Sequence, residues 1–290
     1  MRKFYLESRT GERLNLQKKP LFFHKPDGLG YTDTRDYFES EYGFYFETNK
    51  TYEQPEITGD WVISSGDRYR EYSDLVQWLY MAEPVKLVYI PEPGMDELYM
   101  DIDIEHVGKS EKTLYGTLEL PVSIKGKTPY CFRNPLIFTF TNEVISSPKQ
   151  YPYQYDYQYA QTASGDVVEF TPRGHFPAAF DLTANGPISN PVLRAHGKSN
   201  GVVYGVLDLT GVVIAQGERL LWSSRQNNEH VIKTNGSIKT DLINDIDLSN
   251  NNFFTVPAGV LVELTFNADI DPAFTENLEH PLALYEYLKG

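Results

Sequence analysis

The sequence predicts a mainly β protein: an N-terminal α+β domain, residues 1–134, in which a short helix packs on an antiparallel sheet, then a C-terminal β-sandwich, residues 135–290. Three observations carry this. The chain has 290 residues, long for one domain and comfortable for two. Apolar residues make up 41% and aromatics 14%, enough for a real core, and Tyr, Phe, Val, Ile and Thr suit a pleated, half-buried surface. Apolar and polar residues alternate with period two in many segments, whereas one stretch stands out for helical spacing.

In the N-terminal part, Tyr37 to Glu47 and Glu56 to Ser64 read as two strands, with Tyr42, Phe44 and Phe46 alternating along the first. A helix follows. Ser73 is placed to cap it, Asp74 favours its first turn, Leu75, Trp78 and Leu79 share a face, and Pro84 stops it. Trp78 is therefore expected to cover the sheet. Val85 to Ile90 is a strand and Pro91 to Gly94 a break. Leu98, Met100, Ile102 and Ile104 alternate with Tyr99, Asp101, Asp103 and Glu105. Leu114, Leu118, Leu120, Val122 and Ile124 line one face of the next strand, and Gly108 to Lys112 links the two as a hairpin.

Past Arg133-Asn134-Pro135 the pattern is short strands separated by turn residues. Tyr153 to Tyr159, Val167 to Phe170, Phe176 to Leu182, Val202 to Leu209, Val212 to Ala215, Leu220 to Ser223, Glu229 to Lys233 and Val260 to Phe266 are strand candidates. Ser164-Gly165-Asp166, Asn185-Gly186-Pro187, Asn235-Gly236 and Pro257-Ala258-Gly259 are among the turns. Short strands at that spacing fit a sandwich or jelly roll.

Composition also restricts function. The net charge of −14 with no basic run argues against specific nucleic-acid binding, which rests on neutralising phosphates. There is no signal-peptide core after Met1-Arg2-Lys3 and no run of eighteen apolar residues, so export and membrane insertion are not expected. Cys131, between Tyr130 and Phe132, is the single cysteine and reads as a small buried hydrophobe. His24, His106, His175, His196, His230 and His280 have no metal-ligand spacing. Asp245-Ile246-Asp247-Leu248-Ser249 begins like a calcium loop but has Asn250 in place of Gly and Val256 in place of the bidentate Glu. Gly28-Leu29-Gly30 lacks the third Gly of a dinucleotide fingerprint, since Asp33 stands there. Asp101, Asp103 and Glu105 share a strand face at a spacing of roughly 6.6–6.8 Å, which suits an inverting glycosidase pair, but acids opposite an apolar face are ordinarily its wet side. No catalytic, cofactor-binding or metal residue is expected.

One run is unusual. Tyr153, Tyr155, Tyr157 and Tyr159 alternate with Gln154, Asp156 and Gln158, which in a strand would put four phenol rings on one face. Such a face serves sandwich packing, a subunit or partner interface, or a sugar-stacking platform.

Tyr69-Arg70-Glu71-Tyr72 through Trp78, Glu83 to Pro91, the hairpin from Leu98 to Ile124 and the Thr128-Pro129-Tyr130 step resemble, in order and spacing, the N-terminal domain of the distal tail proteins of long-tailed, siphovirus-type bacteriophages. Asn190 to Leu193, Gly211 to Leu221, Lys233 to Gly236 and Phe253 to Gly259 resemble that family's C-terminal domain, with Val256 in place of the usual Leu. The resemblance implies a galectin-like C-terminal sandwich and a structural, non-enzymatic virion protein without cofactors. It further implies a homo-hexameric ring around a DNA channel at the tail tip. That ring joins the tail tube protein to the tail-tip protein and to receptor-binding or baseplate proteins. The alternative is a carbohydrate-binding β-sandwich module that aids adsorption to the host surface, resting on the tyrosine run.

Overall fold

The computed structural model describes residues 2–30, 32–142, 166–247, 249–250, 252–270 and 278–289. The chain forms two compact units, residues 1–134 with 288–290, and residues 135–287.

The first unit contains β1 (Lys3–Glu7), β2 (Arg13–Asn15), β3 (Gln17–Lys18), β4 (Leu21–Asp27), β5 (Asp33–Glu39), β6 (Tyr45–Tyr52), β7 (Glu56–Ile63), α1 (Arg68–Ala82), β8 (Val85–Ile90), β9 (Leu98–Val107), β10 (Leu118–Gly126) and β11 (Tyr130–Phe132). Its main sheet runs β2-β1-β8-β9-β10-β7-β4-β3, with β11 also on β9; among the described residues β5 and β6 pair only with each other. Alternation explains the sheet. In β10, Leu118, Leu120, Val122 and Ile124 are buried while Glu119 and Pro121 face out. Phe4, Leu6, Leu87, Met100, Ile102, Ile57 and Trp61 complete the core.

The helix begins earlier than its sequence suggests. Asp67 is the N-cap residue, in extended conformation and without a side-chain cap bond, so Ser73 and Asp74 lie inside the helix. Its end is as expected: Pro84 pushes Glu83 out of the helical region, to ψ 138. Leu75 and Ala82 are its buried residues, whereas Trp78 and Leu79 are half-buried. The tryptophan sealed inside this unit is Trp61, which meets Phe23 edge-on at 6.4 Å.

Four charges staple one corner. Glu7 accepts hydrogen bonds from Arg13 Nε (2.8 Å) and Arg133 Nη1 (2.7 Å), and Arg13 also grips Glu97 through both terminal nitrogens, at 2.8 and 2.9 Å. Burial pushes the Glu7 carboxyl up, but the bonds from Arg133 and Arg13 outweigh it and hold the group below the ordinary carboxylate range.

The second unit contains β12 (Leu136–Asn142), β13 (Asp166–Phe170), β14 (Ala179–Asn185), β15 (Ile188–Gly197), β16 (Val203–Asp208), β17 (Val213–Ile214), β18 (Arg219–Ser223), β19 (His230–Thr234), β20 (Lys239–Asp241), β21 (Val262–Asp269) and β22 (Leu278–Tyr285). One sheet runs β12-β22-β14-β18-β19-β20 and the other β13-β21-β15-β16, with β17 added on β15. Every pairing is antiparallel. Phe140, Phe170, Phe180, Trp222, Phe254 and Phe266 belong to one core, and Trp222 donates its indole N–H to the Asn252 carbonyl at 3.0 Å. Period-two burial in β21 and β22 supplies much of the rest.

Candidate assembly surface

The segment expected as one strand from Tyr37 to Glu47 is a hairpin. Gly43, at φ +75, donates to the Ser40 carbonyl at 2.9 Å, and Ser40 donates to the Phe44 carbonyl at 2.8 Å. A glycine in the left-handed region reverses the chain where an unbroken strand would need extended backbone. In the register of β5 with β6, Phe38 opposes Phe46 on one face, while Tyr37 opposes Glu47 and Glu39 opposes Tyr45 on the other. None of these aromatics finds cover among the described residues. Tyr42 at the tip is 86% exposed, and Tyr37, Phe38, Phe44, Tyr45 and Phe46 are all more than half exposed. A two-stranded ribbon on its own is marginal in water, and a contiguous apolar surface of this kind marks a place where another surface lies.

The root of the hairpin is firm. Gly28, at φ +78, lets the chain pass Glu56, whose carbonyl oxygen a Cβ there would meet at 1.9 Å. Asp33 at the start of β5 keeps a 5% exposed side chain among three cations: Lys50 Nζ at 3.0 Å, Arg35 Nη2 at 3.7 Å and Lys289 Nζ at 3.7 Å. Nearby, burial and then the Asp33 charge push the Tyr52 phenol above its ordinary range. The ribbon is thus anchored at one end and bare along its length.

The other residues singled out in the sequence fall in ordinary places. Asp101, Asp103 and Glu105 each face a lysine, with Lys86 at 3.9 Å, Lys127 at 3.0 Å and Lys125 at 3.7 Å, so they are the wet side of β9. Asp247 accepts the backbone N–H of Ser249 at 2.9 Å; that bond, and then one from the Ser249 side chain, hold its carboxyl low. No group of three His, Cys, Asp or Glu side chains among the described residues is placed to hold a metal. Cys131 is buried in β11. Among the described residues no helix is long and apolar enough to cross a membrane. Tyr153, Tyr155, Tyr157 and Tyr159 lie outside the described residues.

Leu114 corrects another expectation. It does not line the face of β10 but stands wholly exposed, with Tyr115 94% exposed beside it, at the turn between β9 and β10. The sequence carries a signal for both turns: a hydroxyl residue, two residues ending in Tyr, then Gly, in Ser40-Glu41-Tyr42-Gly43 and Thr113-Leu114-Tyr115-Gly116.

Residues 3–127 match the family model described as the distal tail protein N-terminal domain. That stretch of the chain resembles a distal tail N-terminal domain. Its fold extends the likeness beyond that domain. A solved structure of the phage p2 baseplate in its activated conformation with Ca contains a chain similar to this one, at TM-score 0.64 and 15% identity, covering 99% of this chain and 98% of that one. The p2 baseplate with Sr gives a similar match at TM-score 0.61 and 15% identity, covering 97% and 98%. The Dit protein of phage SPP1, described as a paradigm of the hub adsorption apparatus in phages infecting Gram-positive bacteria, matches at TM-score 0.63 and 11% identity, covering 98% of each chain. At such identities these structures establish the fold. No curated protein matches the sequence. The matched residues include the aromatic hairpin and both Tyr-Gly turns.

Proposed function

We propose that this chain is the distal tail hub of a long-tailed phage, a structural virion protein that closes into a homo-hexameric ring at the tip of the tail. The ring would join the tail tube protein to the tail-tip protein, and beyond it to receptor-binding or baseplate proteins. The carrying observation is the anchored, uncovered aromatic hairpin inside a distal tail domain: six aromatic side chains exposed on both faces of one ribbon need a partner surface. A ring supplies one, since each copy can offer its hairpin to the next. The two-sheet second unit would be the part turned to tail-tip and host-recognition partners, through protein contacts and not by turnover of a substrate.

Changing Tyr42, Phe44 and Phe46 together to Ser tests this. The variant should fold, because none of the three is buried, and should stay monomeric at concentrations where the parent chain forms rings in negative-stain images. Intact rings in the variant would remove the hairpin from the assembly.

A further inference from the structure

We propose that the Leu114–Tyr115 turn of one copy seats in the apolar cavity beside α1 of a second copy, so that the same contact repeats head to tail; this rests on the ring reading above.

The turn is a built feature. Gly116 donates to the Thr113 carbonyl at 2.8 Å and Thr113 donates to the Thr117 carbonyl at 2.9 Å. The hydroxyls of Thr113 and Thr117 lie 2.7 Å apart, and Gly116 takes φ +74. Neither Leu114 nor Tyr115 has positive φ, so the turn is of the type that accepts most residues and ordinarily carries polar ones in its middle. Here the two middle residues are large, apolar-bodied and bare. The stem is held to the helix: Tyr69 donates its hydroxyl to Glu111 at 3.1 Å, Lys112 Nζ lies 4.8 Å from the Tyr69 ring centre, and Lys109 Nζ lies 5.1 and 5.3 Å from those of Tyr69 and Tyr72. Such a knob meets a partner with little left to order.

A cavity of about 330 Å³ lies on the other flank of the same helix. Leu14, Leu21, Ile63, Leu75 and Trp78 give it apolar walls. It explains why Trp78 is only half-buried. Glu71, Asp74, Leu75 and Trp78 on this side follow helical spacing, while Tyr69 and Tyr72, which hold the stem, belong to the other face. Knob and cavity therefore occupy opposite flanks of one element. That is the arrangement a heterologous contact needs, in which one patch binds a different patch on the next copy and the series closes into a ring.

Charge agrees. Glu71 and Asp74 belong to the cavity's lining on the helix side, opposite in sign to Lys109 and Lys112 at the base of the knob. Lys18 and Lys19 line its strand side, opposite in sign to Glu111. The otherwise similar turn of the aromatic hairpin has Glu41 where this one has Leu114, and a carboxylate entering an apolar cavity is costly.

The test mixes two variants of the full chain, one with Leu114→Cys and one with Lys19→Cys, and treats them with a short bis-maleimide; Cys131 is buried and should not react. The expected result is a cross-linked dimer from the mixture and none from either variant alone. In parallel, Leu114→Ser with Tyr115→Ser should raise the concentration at which rings half-dissociate by about tenfold or more, the usual effect of removing a pocket-filling anchor. Rings that form without the mixed cross-link, and that tolerate the serine pair, would overturn the knob-in-cavity contact and leave the ring reading standing. A cross-linked dimer from Leu114→Cys alone would show knob meeting knob and overturn it too. A parent chain that never forms rings, by light scattering up to high concentration, would overturn both.

Discussion

Trp61 is the side chain whose removal should hurt the first unit most. Its ring is wholly buried, wedged edge-on against Phe23, which is itself edge-on to Phe4 at 5.3 Å. Truncating a buried Trp to Ala costs about 3–5 kcal/mol, through lost transfer energy and the cavity left behind. For a unit of this size each kcal/mol moves the midpoint by about 3–5 °C, so Trp61→Ala should lower its melting temperature by roughly 10–20 °C. Trp61→Phe should cost much less: it keeps most of the apolar ring and discards an indole N–H that is buried without a hydrogen-bond partner among the described residues. Trp78→Ala should fall between neutral and mild for the monomer, because that ring is half-exposed at the mouth of a cavity. Calorimetry gives the midpoints, and hydrogen exchange on peptides covering β8 and β10 assigns the loss to the first unit. An unmoved midpoint for Trp61→Ala, or a larger drop for Trp78→Ala, would refute this account of the core.

Three further outcomes follow from the same structure. Glu7 has a lowered folded pKa, so its contribution is fully present above the unfolded value, near 4.3, and disappears as pH falls through the folded one; urea midpoints from pH 7 to pH 3 should show a shallower acid loss for Glu7→Gln than for the parent, and parallel curves would dismiss the network. Asp33→Asn should leave three cations clustered without their carboxylate and speed amide exchange in β5 and β6, leaving that of β18 and β22 unchanged; an unaltered hairpin would show that Asp33 is not its anchor. With a net charge of −14, the chain should bind no duplex DNA in a low-salt titration, whereas micromolar affinity falling steeply with salt would mean phosphate contacts.

What could be read in the sequence was local and periodic. Val85–Ile90 is a strand with the expected bounds, and β10 buries Leu118, Leu120, Val122 and Ile124 as alternation requires. Glu83 leaves the helix under the constraint of Pro84. The errors arose where periodicity and turn chemistry compete. Tyr42, Phe44 and Phe46 alternate like a strand, but Gly43 between them breaks it, and among the described residues the two strands it separates have no third to cover them. Leu114 keeps the parity of β10 yet sits inside the Thr113–Gly116 turn, where parity has no meaning. The helix start was misplaced because Ser73 is a good cap by residue type, while Asp67 serves by backbone geometry alone. β12, β15 and β22 were not among the sequence-based strand candidates; Pro191 and Pro281 disguise β15 and β22, whereas β12 alternates plainly. The candidate surface was harder still, since exposure is a property of what the rest of the chain fails to cover. The expectation about Tyr155 and Tyr157 stays open to a paired change to Ser: loss of folding or assembly would support a covered face, and loss of saccharide affinity alone would support a sugar platform.

Cryo-electron microscopy of the purified full-length chain, alone and capping tail tubes, tests the central claim most directly. The account predicts closed six-fold rings built from the first unit, with the aromatic hairpin of every copy covered by a neighbour. Closed rings of another symmetry, or six-fold rings in which the hairpins stand free in solvent, would contradict it.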